Sequence, residues 1–178
     1  MSDVRESRLR SAEELKAEFD GAFARAIDAE DARRRTEDFL AITVDEDRYV
    51  LRISEIAGLY VDRKIVPLIR ERRALLGLAS FRNVLAPVYD LRVLLGHSPH
   101  APPRWFVLVR AAEPVALAFD GLEAQIRVDV ANVTADVAAT DRFVAGAVAF
   151  EGKTRPLVAM TSVLAALGDA SESERTSR

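Results

Sequence analysis

The chain has 178 residues, 49% of them hydrophobic and 30% charged, with a formal net charge of -3 and a sequence pI near 5.5. That supplies one core of ordinary size, and the acidic balance argues against a nucleic-acid partner, which wants a basic face. The absence of cysteine excludes disulfides, thiolate metal sites and a cysteine nucleophile, and it suits a reducing cytoplasm.

No apolar run reaches the roughly 18 residues of a membrane span. Met1–Arg10 alternates charge and lacks the apolar centre of a secretory signal. The expectation is a cytoplasmic protein without membrane insertion.

Composition divides the chain into a charged, helix-prone extension (1–38), a β-rich domain (39–168) and a polar tail expected to be disordered (169–178). In the extension, Ser11-Ala12-Glu13-Glu14 is a capping box. Leu15, Phe19, Phe23 and Ile27 then recur every four residues, an apolar ridge along one helix. A helix this short must pack, either on its own domain or in the groove of a partner.

Phe39–Val44 and Arg48–Ile53 read as a hairpin across Asp45-Glu46-Asp47, and Ile56–Val61 as a third strand containing Gly58. Arg70–Leu76 reads as one or two helical turns. Leu78–Phe81 and Val84–Tyr89 flank a tight turn at Arg82-Asn83, and Leu91–Leu95 is a short helix ended by Gly96. His97–Pro103 is a proline-rich loop. After it come Trp105–Val109 and Val115–Phe119, then Leu122–Val128. Phe143–Phe150 pairs with Thr154–Val158, and a helix over Met160–Leu167 is closed by Gly168. About ten short strands thus fall into two sets, split near 97–104, which suggests small barrels or a sandwich.

The block from Gly77 to Arg92 (Gly, an apolar run, Arg82-Asn83, a run ending in Pro87-Val88, then Asp90-Leu91-Arg92) resembles the signature of the CheW family of chemosensory adaptors. Val115–Leu122 and Phe143–Val148 resemble two further family segments, so the likeness covers Phe39 to Gly168. The resemblance implies two five-stranded SH3-like β-barrels packed side by side, here with an added N-terminal amphipathic helix. It implies a non-enzymatic scaffold coupling chemoreceptor tips to the regulatory domain of a CheA-type histidine kinase at receptor arrays. An alternative is a divergent module that has lost the kinase contact, because Asp129–Asp141 lacks the family's proline-rich loop, and that recruits another partner through its N-terminal helix.

Taken with the resemblance, the candidate partner surface comprises Ile56, Gly58, Phe81, Arg82 and Asn83, and Asp90, Arg92, Phe119 and Leu122. Asn83 stands where the family has glycine, and asparagine tolerates a left-handed turn. The usual acidic partner of the motif arginine is missing at Ala57-Gly58, which leaves Asp62 as a substitute. Arg82 either caps its turn or shapes the receptor groove. Asp90 reads first as the cap of the helix after it. Ile56, Leu59, Leu85, Phe119 and Leu122 are core candidates, some of which an adaptor must expose.

Enzyme motifs are absent: there is no glycine-rich phosphate loop, no Gly-x-Ser-x-Gly and no His-Glu-x-x-His. The two histidines share one loop with no further ligands in view. No cofactor and no metal are expected.

Overall fold

The computed structural model describes residues 35–68, 73–98, 101–135 and 141–175. The capping box at Ser11 and the ridge Leu15, Phe19, Phe23 and Ile27 lie outside the described residues. From Glu37 onward the chain forms one unit.

Among the described residues, eleven strands build two sheets. They are β1 (Thr36–Val44), β2 (Asp47–Arg52), β3 (Ile56–Val61), β4 (Leu75–Phe81), β5 (Val84–Asp90), β6 (Trp105–Val109), β7 (Ala116–Phe119), β8 (Gly121–Asp129), β9 (Val133–Ala135), β10 (Val144–Phe150) and β11 (Lys153–Val158). Helix α1 (Leu91–Leu94) follows β5, and α2 (Met160–Arg175) follows β11. The six-stranded sheet runs β8-β1-β2-β11-β10-β9 and the five-stranded sheet runs β3-β6-β7-β5-β4.

Many of these strands are apolar on both faces, and the packing explains why. Along β1, Phe39 and Ala41 enter a cluster inside the six-stranded sheet, while Leu40, Ile42 and Val44 enter a second cluster. Along β6 and β7, Phe106, Leu108, Ala116 and Ala118 fill the inside of the five-stranded sheet. Val107, Val109, Leu117 and Phe119 join the same second cluster as Leu40. So each sheet has its own core, and a third core lies between the sheets. A strand buried on both faces reads as a continuous apolar run, with no polar alternation to mark it.

Neither sheet is flat. β8 and β9 are opposite edges, yet only the short 3-10 turn Val130–Asn132 joins them. A flat six-stranded sheet would set its edges about 24 Å apart, and so short a link reaches about 14 Å at most. The sheet therefore curls. In the five-stranded sheet, the chain leaves β3 at one edge and Val66 soon bridges Leu78 on β4, at the other. The two sheets repeat one plan: a strand with a glycine bulge (Gly77, Gly146), a two-residue turn, and a strand leading into a helix. In each, that last strand pairs in parallel with a hairpin strand, β7 in one sheet and β2 in the other.

Several expectations are corrected. The division near 97–104 is not the boundary between the sheets. β6 and β7, beyond the proline loop, complete the sheet of β3–β5, whereas β1 and β2 pair with β8 and β11. The crossings lie at Ile53–Glu55 and at Asp120, because strand partners are chosen by burial and not by nearness in sequence. Leu75 and Leu76 are strand, held against Tyr89 and its neighbours on β5, and not helix. Helix α2 does not stop at Gly168 but continues to Arg175, through residues expected as a disordered tail. A glycine inside a helix costs only about 1 kcal/mol, and the Asp-Ala-Ser-Glu run after it holds no proline. The strand β9 was not expected: Val133–Ala135 is short, and only its pairing with β10 defines it.

Candidate functional site

At the seam between the sheets lies a buried charge network. Asp90 is 1% exposed and Arg92 3%. The Arg92 guanidinium donates through Nε and Nη2 to the two Asp90 carboxylate oxygens, at 2.8 and 2.7 Å. Its Nη1 donates to Asp120 Oδ1 at 2.7 Å and to the Ala101 carbonyl at 2.8 Å. Asp120 Oδ2 accepts the backbone N–H of Asp45 at 2.7 Å. One arginine thus ties α1, the proline loop and the β7–β8 crossing, and Asp120 carries the tie to the β1–β2 turn. Burial alone would lower the Arg92 pKa, but the two carboxylates outweigh it and hold the guanidinium above its ordinary value. Asp90 also accepts from the Arg92 backbone N–H, the N-cap of α1.

The structure places the residues expected at the partner surface in different settings. Asp90, Arg92, Phe81 and Phe119 are buried: Phe119 lies in the inter-sheet core, Phe81 inside the five-stranded sheet, and Asp90 and Arg92 in the charge network. Arg82 and Asn83 are exposed at the hairpin tip, and Ile56, Gly58 and Leu122 are half-buried. Asp62 is not the partner of Arg82: it forms a two-bond pair with Arg104, both at 3.0 Å. The left-handed residue of the turn is Arg82, at φ 57, and not Asn83. We expect Arg82→Gly to stabilise the fold by up to about 1 kcal/mol, and Asn83→Gly to bring no gain, in paired urea unfolding curves.

Exposed apolar surface is concentrated. Of the seven large apolar side chains exposed among the described residues, six lie between Leu59 and Leu85: Leu59, Val61, Val66, Leu68, Val84 and Leu85. Leu59 and Val61 are 37% and 41% exposed. Leu59 pairs with Val107, Val61 with Trp105, and Ile56 with Val109. Paired residues share a face of the sheet, and Val107 and Val109 belong to the inter-sheet core. So Leu59 and Val61 form a rim where that core reaches the surface. Ile56, Trp105 and Leu122 are half-buried and packed on the same core. Sequence reasoning listed Leu59 among the core candidates and missed Val61 and Trp105, because nothing local tells an exposed edge strand from a buried one.

Three further groups complete the seam. The His97 ring lies near Asp45 (Nδ1 to Oδ2, 3.7 Å), Asp47 (Nε2 to Oδ2, 3.8 Å) and the Tyr49 hydroxyl (3.3 Å). Burial, with Asp47 and Asp141 nearby, pushes the Tyr49 phenol up. At the Ile53–Glu55 crossing, Glu55 Oε2 is buried without a hydrogen-bond partner, and burial raises the Glu55 pKa, Arg52 opposing it and Glu37 adding to it. A raised folded-state pKa means that the folded chain holds this proton more tightly than the unfolded chain. The associated stability is present below the ordinary value of 4.5 and is lost as the pH rises through the raised value. Glu55→Gln should therefore raise the melting temperature at pH 7, with the gain shrinking toward pH 4. An equal gain at both pH values would contradict this account.

Among the described residues no group of three or more His, Cys, Asp or Glu side chains is placed to hold a metal ion. No helix there is long and apolar enough to cross a membrane. An open cleft of about 470 Å³ lies between Pro87 and Tyr89 of β5, the 111–115 loop and Leu164 and Leu167 of α2.

Two curled sheets share a core, and Leu59 and Val61 stand exposed at its rim. The chain belongs to the CheW-like domain family, whose model matches residues 38–168. Among solved structures it is similar to the scaffolding protein TtCheW from Thermoanaerobacter tengcongensis, with a TM-score of 0.63 and 19% identity over 68% of this chain and 88% of that one. At that identity the likeness speaks for the fold. No curated protein matches the sequence.

Proposed function

We propose that this chain is a non-enzymatic adaptor of a bacterial chemosensory array, joining chemoreceptor tips to the regulatory domain of a CheA-type histidine kinase. Membership of the family supports this, and the observation that carries it is the apolar rim of Leu59 and Val61 above the inter-sheet core. Contiguous exposed apolar surface marks a partner site. In this reading each curled sheet serves as an SH3-like barrel, residues 39–168 form the binding module, and residues 1–38 add a helix outside it. The module works in the cytoplasm beside membrane-held receptors. Holding two partners at once raises their effective concentration and lets receptor state bias the kinase.

The test is calorimetric titration of the full chain with a CheA-type regulatory domain and with a chemoreceptor tip fragment. Micromolar or tighter binding to both is the expected result. Leu59→Glu should weaken at least one of them by about tenfold or more, with the melting temperature lowered but the chain still folded, because the side chain is 37% exposed at the rim of the core. Binding of neither by a folded protein would end the adaptor reading.

A further inference from the structure

The cleft between β5 and α2 contains a buried hydroxyl that the fold does not use. Tyr89 is 8% exposed, packs in the inter-sheet core and lines that cleft. Its hydroxyl makes no hydrogen bond among the described residues, whereas a buried tyrosine hydroxyl ordinarily has a partner. Among the described residues, the side-chain atoms sealed from solvent without a partner are Glu55 Oε2 and Arg155 Nε. The Tyr89 hydroxyl is not one of them, so it opens into the cleft that the side chain lines. A second polar group stands at the rim. Glu113 is exposed on the 111–115 loop, and its carboxylate has no ion pair or hydrogen bond among the described residues. The neighbouring Arg110 does not neutralise it, because that guanidinium donates to the Ser54 and Ile56 carbonyl oxygens at 3.1 and 3.3 Å. The remaining walls are apolar, from Pro87, Val115, Leu164 and Leu167.

Small-molecule sites have this make-up, apolar walls with a few placed polar groups in a volume of roughly 300–1,000 Å³. The cleft measures about 470 Å³. We propose that it binds a small aromatic amine that carries a second polar group. The ammonium pairs with Glu113, the ring lies against Val115, Leu164 and Leu167, and the second polar group takes up the Tyr89 hydroxyl. A purely apolar ligand would bury that hydroxyl without a partner. An anion would meet the Glu113 carboxylate on a chain of net charge -3. The walls come from both halves of the fold: β5 and the loop between β6 and β7 belong to the five-stranded sheet, and α2 follows β11 of the six-stranded sheet. A bound amine therefore bridges the two halves beside the core they share. The site needs neither a kinase nor a receptor and does not rest on the adaptor reading.

Tyramine is the probe, beside phenethylamine, which lacks the hydroxyl, and hydroxyphenylpropionate, which carries a carboxylate in place of the amine. Binding to the full chain is read by ligand-observed NMR and by the rise in melting temperature. Tyramine should bind with a Kd of about 1 mM or tighter. It should bind about tenfold more tightly than hydroxyphenylpropionate and about threefold more tightly than phenethylamine. Glu113→Gln should erase the first preference and Tyr89→Phe the second. Neither change should lower the melting temperature of the free chain, since one removes an unpartnered hydroxyl and the other alters an exposed carboxylate. Absence of tyramine binding, equal binding of the three compounds, or preferences that survive both substitutions would overturn the assignment. So would a helical lysine–leucine peptide that displaces tyramine and binds more tightly, because the cleft would then belong to a protein. If tyramine fails to bind while the kinase and receptor fragments do, the amine site falls and the adaptor reading stands.

Discussion

Replacing Arg92 by alanine should lower the free energy of unfolding by about 3–5 kcal/mol, the usual cost of leaving one member of a buried ion pair behind. Asp90 is 1% exposed and would keep only the backbone N–H of residue 92 for its charge. Asp120 and the Ala101 carbonyl would lose their donor as well. Arg92→Lys should not rescue, since an ammonium cannot span both Asp90 oxygens and also reach Asp120. Asp120 is 31% exposed in its side chain, so Asp120→Asn should cost far less, about 1 kcal/mol. Removing both charges, as in Asp90→Asn/Arg92→Met, should recover much of the loss because no buried charge is then stranded. Urea unfolding followed by Trp105 emission measures all four, and a loss below about 1 kcal/mol for Arg92→Ala would show that the network does not hold the seam.

Gly77→Ala should cost about 3 kcal/mol, and Gly146→Ala a similar amount. Both glycines sit at bulges where the backbone takes a positive φ, 144° at Gly77 and 153° at Gly146, which side chains rarely adopt. A Cβ at Gly77 would stand 2.1 Å from the Val66 carbonyl oxygen, and one at Gly146 2.0 Å from that of Thr134. The obstruction is backbone in both cases, so no side-chain rotation relieves it. Val66 exchanges two hydrogen bonds of 2.8 Å with Leu78, and Thr134 pairs with Ala147. The substitution must therefore push off the very segment that curls the sheet. A loss of about 3 kcal/mol corresponds to a melting temperature lower by roughly 6–12 °C for a chain of this size. Gly152→Ala is the control, with open space around its Cβ. Its φ of 70° still disfavours alanine, so it should lose about 1 kcal/mol. Equal losses at all three positions would mean that φ alone, and not the close approach, sets the cost.

Much of the strand pattern was legible in the sequence, and part of the site was not. Ile56–Val61 is a strand with the bounds its residues suggest, and the turn at Arg82-Asn83 falls where turn chemistry puts it. Asp90 caps α1 as its position implies. The burial of Asp90 and Arg92 was not legible, because charged side chains are ordinarily exposed. What permits their burial is Asp120, on a different sheet crossing, and no spacing in the sequence announces it. The left-handed residue of the tip was expected at Asn83 on residue type alone and lies at Arg82, where the register Phe81 to Val84 sets the turn.

The sequence by itself determined that this is a β-rich chain of short strands with the CheW-like block from Gly77 to Arg92. Periodicity, turn residues and apolar content are local properties and survive without a partner strand. Only the tertiary structure decided which strands pair: that β1 and β2 join β8–β11, that β6 and β7 join β3–β5, and that Leu59 and Val61 reach the surface. The reason is physical. A strand buried on both faces carries the same apolar run whichever sheet it enters, so its place is selected by the cores it fills together with distant strands, and that choice exists only once the chain has closed around them.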